Sequence, residues 1–290
     1  MTVISHDAAS SWGDSFPHPA LMTILELSTA SVCCTLRSAR HMSELTKRMA
    51  MELSVMTFNI HKGKHAILTS RTLSRIRDFL ASHSVDIVFL QEVIGSDPGE
   101  ADYDQVKYLA DGLSSQFCYG KNLIVDSYHH GNAILSRYPI VDWKNEDLST
   151  NKYEKRGVLE ATIQLPNQVL AKAFCCHLNL LRGSRRTQIN RIAKIIDDQV
   201  AGFNGPFFVG GDFNDWQQDA SRIFEEPTWR EVGRESDDSH FLTFPSWFPS
   251  IALDRIYYRS AELINAETTT FGKLGFLSDH LPVLAKFKIP

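Results

Sequence analysis

No stretch of the chain holds the roughly twenty apolar residues that a membrane-spanning helix needs. The nearest approach, residues 20–36, carries Glu26 and several Ser and Thr side chains. Residues 1–19 contain no Lys or Arg, so the basic start of a secretory leader is missing as well. Positive charge is not in excess. The 30 Lys and Arg face 34 Asp and Glu, for a formal net charge of −4 and a pI near 6.3. A strong basic field of the sort that marks many nucleic-acid binders is thereby excluded. A nuclease is not, because a bound divalent cation supplies positive charge that composition does not count. Cysteine is scarce and poorly placed for pairing. The five are Cys33, Cys34, Cys118, Cys175 and Cys176, an odd number with two adjacent pairs and no CxxC spacing. That argues against a disulfide framework and a structural zinc site, and it leads us to expect reduced thiols in a cytoplasmic protein. Neither a repeat nor a Pro/Gly/Ser-rich linker divides the chain after residue 50.

What remains is ordinary for a globular protein: 290 residues, 43% hydrophobic and 22% charged. Residues 1–50 carry four basic and four acidic side chains, so the whole −4 lies in residues 51–290. We expect 1–50 to be a poorly ordered extension and 51–290 to be the working domain. Met49 and Met51 directly precede the first convincing strand, and the native start is expected near them.

Residues 52–60 read as a strand. Thr69 or Ser70 can cap a helix with Leu73, Ile76, Phe79 and Leu80 at helical spacing. The run Val85–Leu90 suits a buried strand ending at Gln91-Glu92. Helices are expected over 103–115 and 185–200. Strands are expected over 123–125, 132–136, 157–164, 168–178, 207–210, 255–258, 262–270 and 283–289. Strands outnumber helices and mix with them, which predicts an α+β sandwich of packed sheets with helices outside.

The chemistry gathers at strand ends: Asn59, Glu92, His177, Asp212 with Asn214, Asp254, and Asp279-His280. Carboxylates at the ends of apolar strands are costly unless paired or metal-bound. An oxygen-rich set with few nitrogens favours Mg²⁺ or Mn²⁺ over zinc. In this order, across residues 53–289, the series resembles the endonuclease/exonuclease/phosphatase superfamily. Its members include DNase I, AP endonucleases, neutral sphingomyelinases and inositol polyphosphate 5-phosphatases. The segments Asn59–Gly63 and His129–Arg137 look like an uncharacterised bacterial branch.

The resemblance implies a four-layered α/β sandwich, two packed mixed β-sheets flanked by helices, with the site at one edge. It implies Glu92 as the principal Mg²⁺ ligand, with Asn59 and Asp279 nearby. Asp212 would orient or deprotonate water, and Asn214 would hold the phosphate or the nucleophile. His280 would donate to a phosphoryl oxygen, oriented by Asp254, with His177 as a second donor or acid. From the residues themselves, substrate contacts are expected from Asn132, Arg156 and His61, with Arg156 pairing with Glu154 or Glu160 and a merely solvated His61 loop as the other readings. AP endonucleases tend to carry Tyr where this chain has His177 and Asp where it has His61, which weakens an abasic-site reading. The expected activity is Mg²⁺-dependent (Mn²⁺ possible) hydrolysis of a phosphodiester, nucleic acid first. Phospholipid or sphingomyelin-type diesters and small phosphoesters are the alternatives, and a noncatalytic binding module is the outlier. No stable protein partner is expected.

Several residues keep two readings. Arg182–Arg186 could touch a phosphodiester backbone or start a solvated helix. Phe244, Trp247 and Phe248 could stack a base, touch lipid or pack under a loop. Cys175 and Cys176 read as strand packing.

Overall fold

Strand β1 (Met51–Asn59) is buried on both faces: Leu53 and Val55 enter one apolar cluster, Met56 and Phe58 another. A strand wet on neither face belongs inside a covered sheet, and that is where the structure, a computed structural model, puts it. The structure describes residues 51–63, 72–96, 104–113, 115–125, 128–224, 228–234, 240–269 and 277–290. The expected extension over 1–50 and the expected caps Thr69 and Ser70 lie outside the described residues. The chain divides into the units Met1–Met49 and Ala50–Pro290, and everything below concerns the second.

Beside β1 and parallel to it runs β2 (Ile87–Ser96). Parallel neighbours need a crossover, which includes helix α1 (Thr72–His83). Leu73, Ile76 and Leu80 of α1 pack with Met56 and Phe58. Helix α2 (Gln105–Leu113) covers the same face through Val106 and Leu109. The sheet is completed by β3 (Gln116–Val125), β4 (Tyr128–Ser136), β11 (Glu262–Thr268) and β12 (Val283–Ile289), in the order β11-β12-β1-β2-β4-β3.

The second sheet repeats the plan. Strands β7 (Leu170–His177) and β8 (Phe207–Asp212) are parallel, joined through helix α3 (Arg182–Val200). Around them lie β5 (Ile140–Asp147), β6 (Gly157–Gln164), β9 (Arg230–Glu231) and β10 (Asp254–Arg259), in the order β5-β6-β7-β8-β10-β9. Ile189, Ile192 and Ile196 of α3 pack on Phe174, Phe207 and Val209. The short α4 (Asp219–Ile223) adds Ala220 to that cluster. Between the sheets, Val55, Phe89, Ala173, Phe208 and Phe287 form the central core. Apolar layers on both outer faces and one in the middle make the expected four-layered sandwich.

The Gly210-Gly211 pair has a packing reason. A Cβ on Gly210 would collide with the ring of Phe89 from the opposite sheet, and one on Gly211 with the carbonyl of Cys176 on the neighbouring strand.

Some boundaries differ from expectation. Strand β2 does not stop at Glu92. It continues to Ser96 across a bulge between Leu90 and Val93. Strands β3 and β4 start earlier than expected, and α3 starts at Arg182 rather than Arg185. Strand β5 was not anticipated, because it is a mostly exposed edge carrying Asp142, Lys144 and Glu146, with little apolar alternation.

Candidate active site

Register alone brings three of the expected residues into one row. On adjacent strands β7, β8 and β10, His177 pairs with Asp212 and Asp212 pairs with Asp254. On the facing sheet, Asn59 closes β1, and its side-chain amide donates to Asp212 Oδ2 at 3.0 Å. The backbone N–H of Asn214 donates to the other oxygen, Asp212 Oδ1, at 2.9 Å. His280 Nδ1 lies 2.7 Å from Asp254 Oδ2, and its Nε2 lies 3.8 Å from Asp212 Oδ2. His177 Nε2 approaches the same Asp212 oxygen at 3.5 Å. One carboxylate thus stands at the meeting point of both sheets.

These groups open into a cleft of about 550 Å³. Lys62, Glu92, Asn132, Lys155, Arg156, His177, Asp212, Asn214 and His280 line it. Glu92 sits in the β2 bulge with φ 55°, and its Oε2 is 3.3 Å from Lys62 Nζ. That oxygen is buried and accepts no hydrogen bond of good geometry. Arg156 turns toward the cleft with a buried Nε that has no acceptor; its nearest carboxylate, Glu154, is 3.8 Å away.

The charges in this space are unequal. Burial alone would lower the His280 pKa, but Asp254 and Asp212 outweigh it, and the ring is held protonated well above the usual histidine range. His177 goes the other way. Burial, helped by Arg156, His280 and Lys62, pushes it well below the usual value. Its 3.5 Å approach to Asp212 is therefore a contact of a neutral ring rather than an ion pair. Burial raises Asp212; the His280 cation opposes this, Asp254 adds to it, and the donors from Asn214 and Asn59 hold it back. A cationic donor, a neutral imidazole and a carboxylate of raised pKa thus share one pocket, an arrangement suited to acid–base work on a phosphoester.

Asp212, Asp254 and His280 also offer three ligand atoms within 4.8 Å of one another. We do not read them as a metal cage, because His280 Nδ1 is committed to Asp254 and the ring is cationic. The better donor is Glu92, whose buried oxygen lacks a hydrogen-bond partner.

Four expectations need correction in detail. Asn59 has a protein partner at each end of its amide, since its Oδ1 accepts from the His61 N–H at 3.0 Å. It positions Asp212 directly. Asn132 lines the cleft, but its Nδ2 donates to the carbonyls of Gly157 and Cys175, tying the sheets together, so that group is not available to grip phosphate. Asn214 spends its side-chain Nδ2 on the Leu178 carbonyl at 2.9 Å. His61 pairs with Asp279 at 2.8 Å, a contact that raises the ring's pKa, and neither residue lines the cleft.

The run Arg182–Arg186 is mostly occupied within the protein. Arg182 forks onto Asp219, and Arg185 is fully buried. Arg185 donates to the carbonyls of Asn179 and Leu180, to Gln217, and faces Asp215 at 3.4 Å. Phe244 tilts its ring against His280, with centroids 4.9 Å apart.

Sequence reasoning missed Arg185, Asp215 and Arg255 as a buried support for the loops after β7 and β8. Arg255 reaches the Asp215 carbonyl at 2.6 Å. It also missed Gln105, which accepts from the Ile94 N–H at 2.9 Å and donates to the Lys62 carbonyl at 2.7 Å. Arg185 had a signal, lying one helical turn before Ile189 on the apolar face. Gln105 had none.

The profile of the Endonuclease/Exonuclease/phosphatase family matches residues 56–280. The chain belongs to that family. Endonuclease/Exonuclease/phosphatase proteins are phosphoester hydrolases, and relatives of both kinds, curated and structural, are found. The chain is 36% identical over 244 residues to the uncharacterized protein YbhP of Escherichia coli, covering 81% of this chain and 96% of that one. The human Nocturnin catalytic domain with bound sulfate superposes with a TM-score of 0.68 at 19% identity, over 81% of this chain and 94% of that one. D. rerio TDP2 complexed with single strand DNA product gives 0.63 at 18% identity, over 81% and 98%. At such identities the two structures speak for the DNase I-like fold alone.

Proposed function

We propose that this protein hydrolyses a phosphodiester with the help of a divalent cation, Mg²⁺ or Mn²⁺. The observation that carries the reading is the convergence of the Asp254–His280 pair on Asp212 at the floor of one cleft. Asp212 orients an attacking water and takes its proton, as burial raises its pKa toward the working range of a general base. His280, held protonated by two carboxylates, donates from Nε2 to a non-bridging phosphoryl oxygen. Asp254 fixes the His280 ring through Nδ1. His177, neutral and lining the same cleft, stands ready to hydrogen-bond the substrate near the leaving group. Arg156 supplies a fork for a second phosphate oxygen. Asn59 and Asn214 hold the Asp212 carboxylate in place.

The residues present fit a hard cation, because Glu92 offers a buried carboxylate oxygen that accepts no well-formed hydrogen bond, Lys62 Nζ at 3.3 Å facing it as a counter-charge. Glu92 would hold the ion; Asp279, the other expected ligand, is paired with His61 and is not among the residues lining the cleft. When bound, the ion would offset charge building on the phosphoryl oxygens. Lys62 occupies the position of a counter-charge to Glu92 and would have to yield.

The test is hydrolysis of bis(p-nitrophenyl) phosphate by the full chain with Mg²⁺ or with EDTA. Turnover should vanish in EDTA and return with added metal; turnover that persists in EDTA overturns the metal. Asp212→Asn should cut kcat by about 10³-fold, and an unchanged kcat overturns its role. Nucleic acid is the first natural substrate to assay; D. rerio TDP2, which shares the fold, is found complexed with single strand DNA product. The described cleft brings Lys62, Lys155 and Arg156 rather than a long basic track.

A further inference from the structure

The turn after β1 runs left-handed through His61, Lys62 and Gly63, at φ 46°, 60° and 60°. Left-handed backbone is unfavourable for a lysine and persists only where the surroundings enforce it. Gln105 enforces it here. Its Nε2 donates to the Lys62 carbonyl at 2.7 Å, and its Oε1 accepts from the Ile94 N–H at 2.9 Å. The turn is thereby tied to β2 just beyond Glu92, itself left-handed at φ 55° in the bulge. A Cβ on Gly63 would come within 2.9 Å of that same Gln105 Nε2, so the packing at the tie is close. The product of the arrangement is one ion pair, with Lys62 Nζ 3.3 Å from Glu92 Oε2.

The pair is not built as a fixture. Glu92 Oε2 is buried yet accepts no well-formed hydrogen bond, so the ammonium supplies charge without taking up the oxygen's lone pairs. The same turn shows the alternative, since His61 Nδ1 reaches Asp279 Oδ1 at 2.8 Å. The Lys62 side chain is 41% exposed on a flexible four-carbon stem, so its head can leave without disturbing a packed layer. Lys62 and Glu92 both line the cleft, so the move needs no opening of the fold. A single positive charge, held without a hydrogen bond on an oxygen suited to a hard divalent ion, both shields that oxygen and contests it.

We propose that Lys62 is a resident competitor of the divalent cation. It neutralises Glu92 while the ion is absent, and it makes uptake begin at a higher metal concentration than Glu92 alone would need. The inference rests on the reading of Glu92 as the residue that holds the ion.

The experiment is titration of the metal-free full chain with Mn²⁺, the free ion being read by electron paramagnetic resonance, so that no turnover enters. Glu92→Gln identifies which binding belongs to Glu92. Lys62→Asn removes the charge and suits the left-handed backbone. It should bind Mn²⁺ at the Glu92-dependent site about tenfold more tightly than the parent, as a like charge is withdrawn from beside a divalent ion. Lys62→Gly, unstrained at the same φ, is the second neutral variant and should match it. Lys62→Arg keeps the charge and should bind as the parent does. Added Mn²⁺ should also raise the thermal midpoint of the neutral variants more than that of the parent. Parent-like or weaker binding by the folded neutral variants, with Glu92-dependent binding in the parent, overturns the competitor and leaves the metal reading standing. Lys62→Arg that binds as tightly as Lys62→Asn also overturns it, since charge is then not what opposes the ion. Mn²⁺ binding that Glu92→Gln leaves intact, or no binding by the parent and the Lys62 variants alike, overturns the reading of Glu92 and the competitor with it.

Discussion

Each sheet has one parallel pair at its centre, β1–β2 in the first and β7–β8 in the second, and each pair delivers side chains to the cleft. The two deliveries differ in how they are held. After β1 and within β2 the backbone is left-handed at His61, Lys62, Gly63 and Glu92, with φ of 46°, 60°, 60° and 55°. The ion pairs there, Lys62–Glu92 and His61–Asp279, are partly open to water. After β7 and β8 it is left-handed at Asn214 and Gln218, with φ of 48° and 59°. There Arg185, Gln188, Asp215 and Arg255 form a buried lattice of hydrogen bonds and charges beneath the loops. Strained backbone costs on the order of 1–2 kcal/mol per non-glycine residue and persists where function repays it. The two sides are built for different tasks. Under the proposed function, the Glu92 side would adjust to an incoming cation, while the Asp212 side would be kept fixed where the geometry of attack is set.

The contrast can be broken by substitution. Arg185→Ala takes from buried Asp215 the nearer of its two cations, at 3.4 Å, and leaves Arg255 at 3.9 Å; we expect about 3–5 kcal/mol of lost stability in urea unfolding. A loss below about 1 kcal/mol would mean that the second side is no more locked than the first. Gln105→Ala strands the Lys62 carbonyl and the Ile94 N–H, and should cost less, about 1–2 kcal/mol. A cost equal to that of Arg185→Ala would erase the distinction.

The smallest effect sharpens it with pH. Burial would raise the Glu231 carboxyl, but His240, Arg255 and Ser221 outweigh it and hold its folded pKa below the usual glutamate value. Its contribution is therefore present above the unfolded pKa, about 4.3, and is lost as pH falls through the lower folded value. Glu231→Gln should destabilise the protein at pH 7, and the gap in thermal midpoint between it and the parent should shrink below about pH 4. A gap that stays constant with pH would show that the charge on Glu231 adds nothing.

Periodicity made the centre of each sheet and the helix α3 legible, because strands covered on both faces and a helix with Ile189, Ile192 and Ile196 on one side leave strong patterns. The row of His177, Asp212 and Asp254 followed from their places at strand ends. What stayed hidden was what depends on local backbone or on distant partners. The bulge at Glu92 leaves no trace in residue types. Strand β5 offers an edge too polar to alternate. For Arg185 the sequence allows a backbone contact or a solvated helix start, and neither is a buried guanidinium, although its spacing to Ile189 places it on the apolar face. The side-chain amides of Asn59, Asn132 and Asn214 turned inward because buried carbonyls and a carboxylate on neighbouring strands needed donors, and those neighbours are far away in the chain.

The first described strand, β1, lies between β2 and β12, the last strand of the sequence. On the ribosome, β1 therefore emerges more than two hundred residues before its antiparallel neighbour. Until Val283–Ile289 arrives, one flank of β1 has no partner, and Asp279 and His280 have only just been added. Such distant closure is slow and leaves sticky intermediates. It also means that a chain lacking β12 would be aggregation-prone, so that the candidate site is assembled only once Val283–Ile289 has been added.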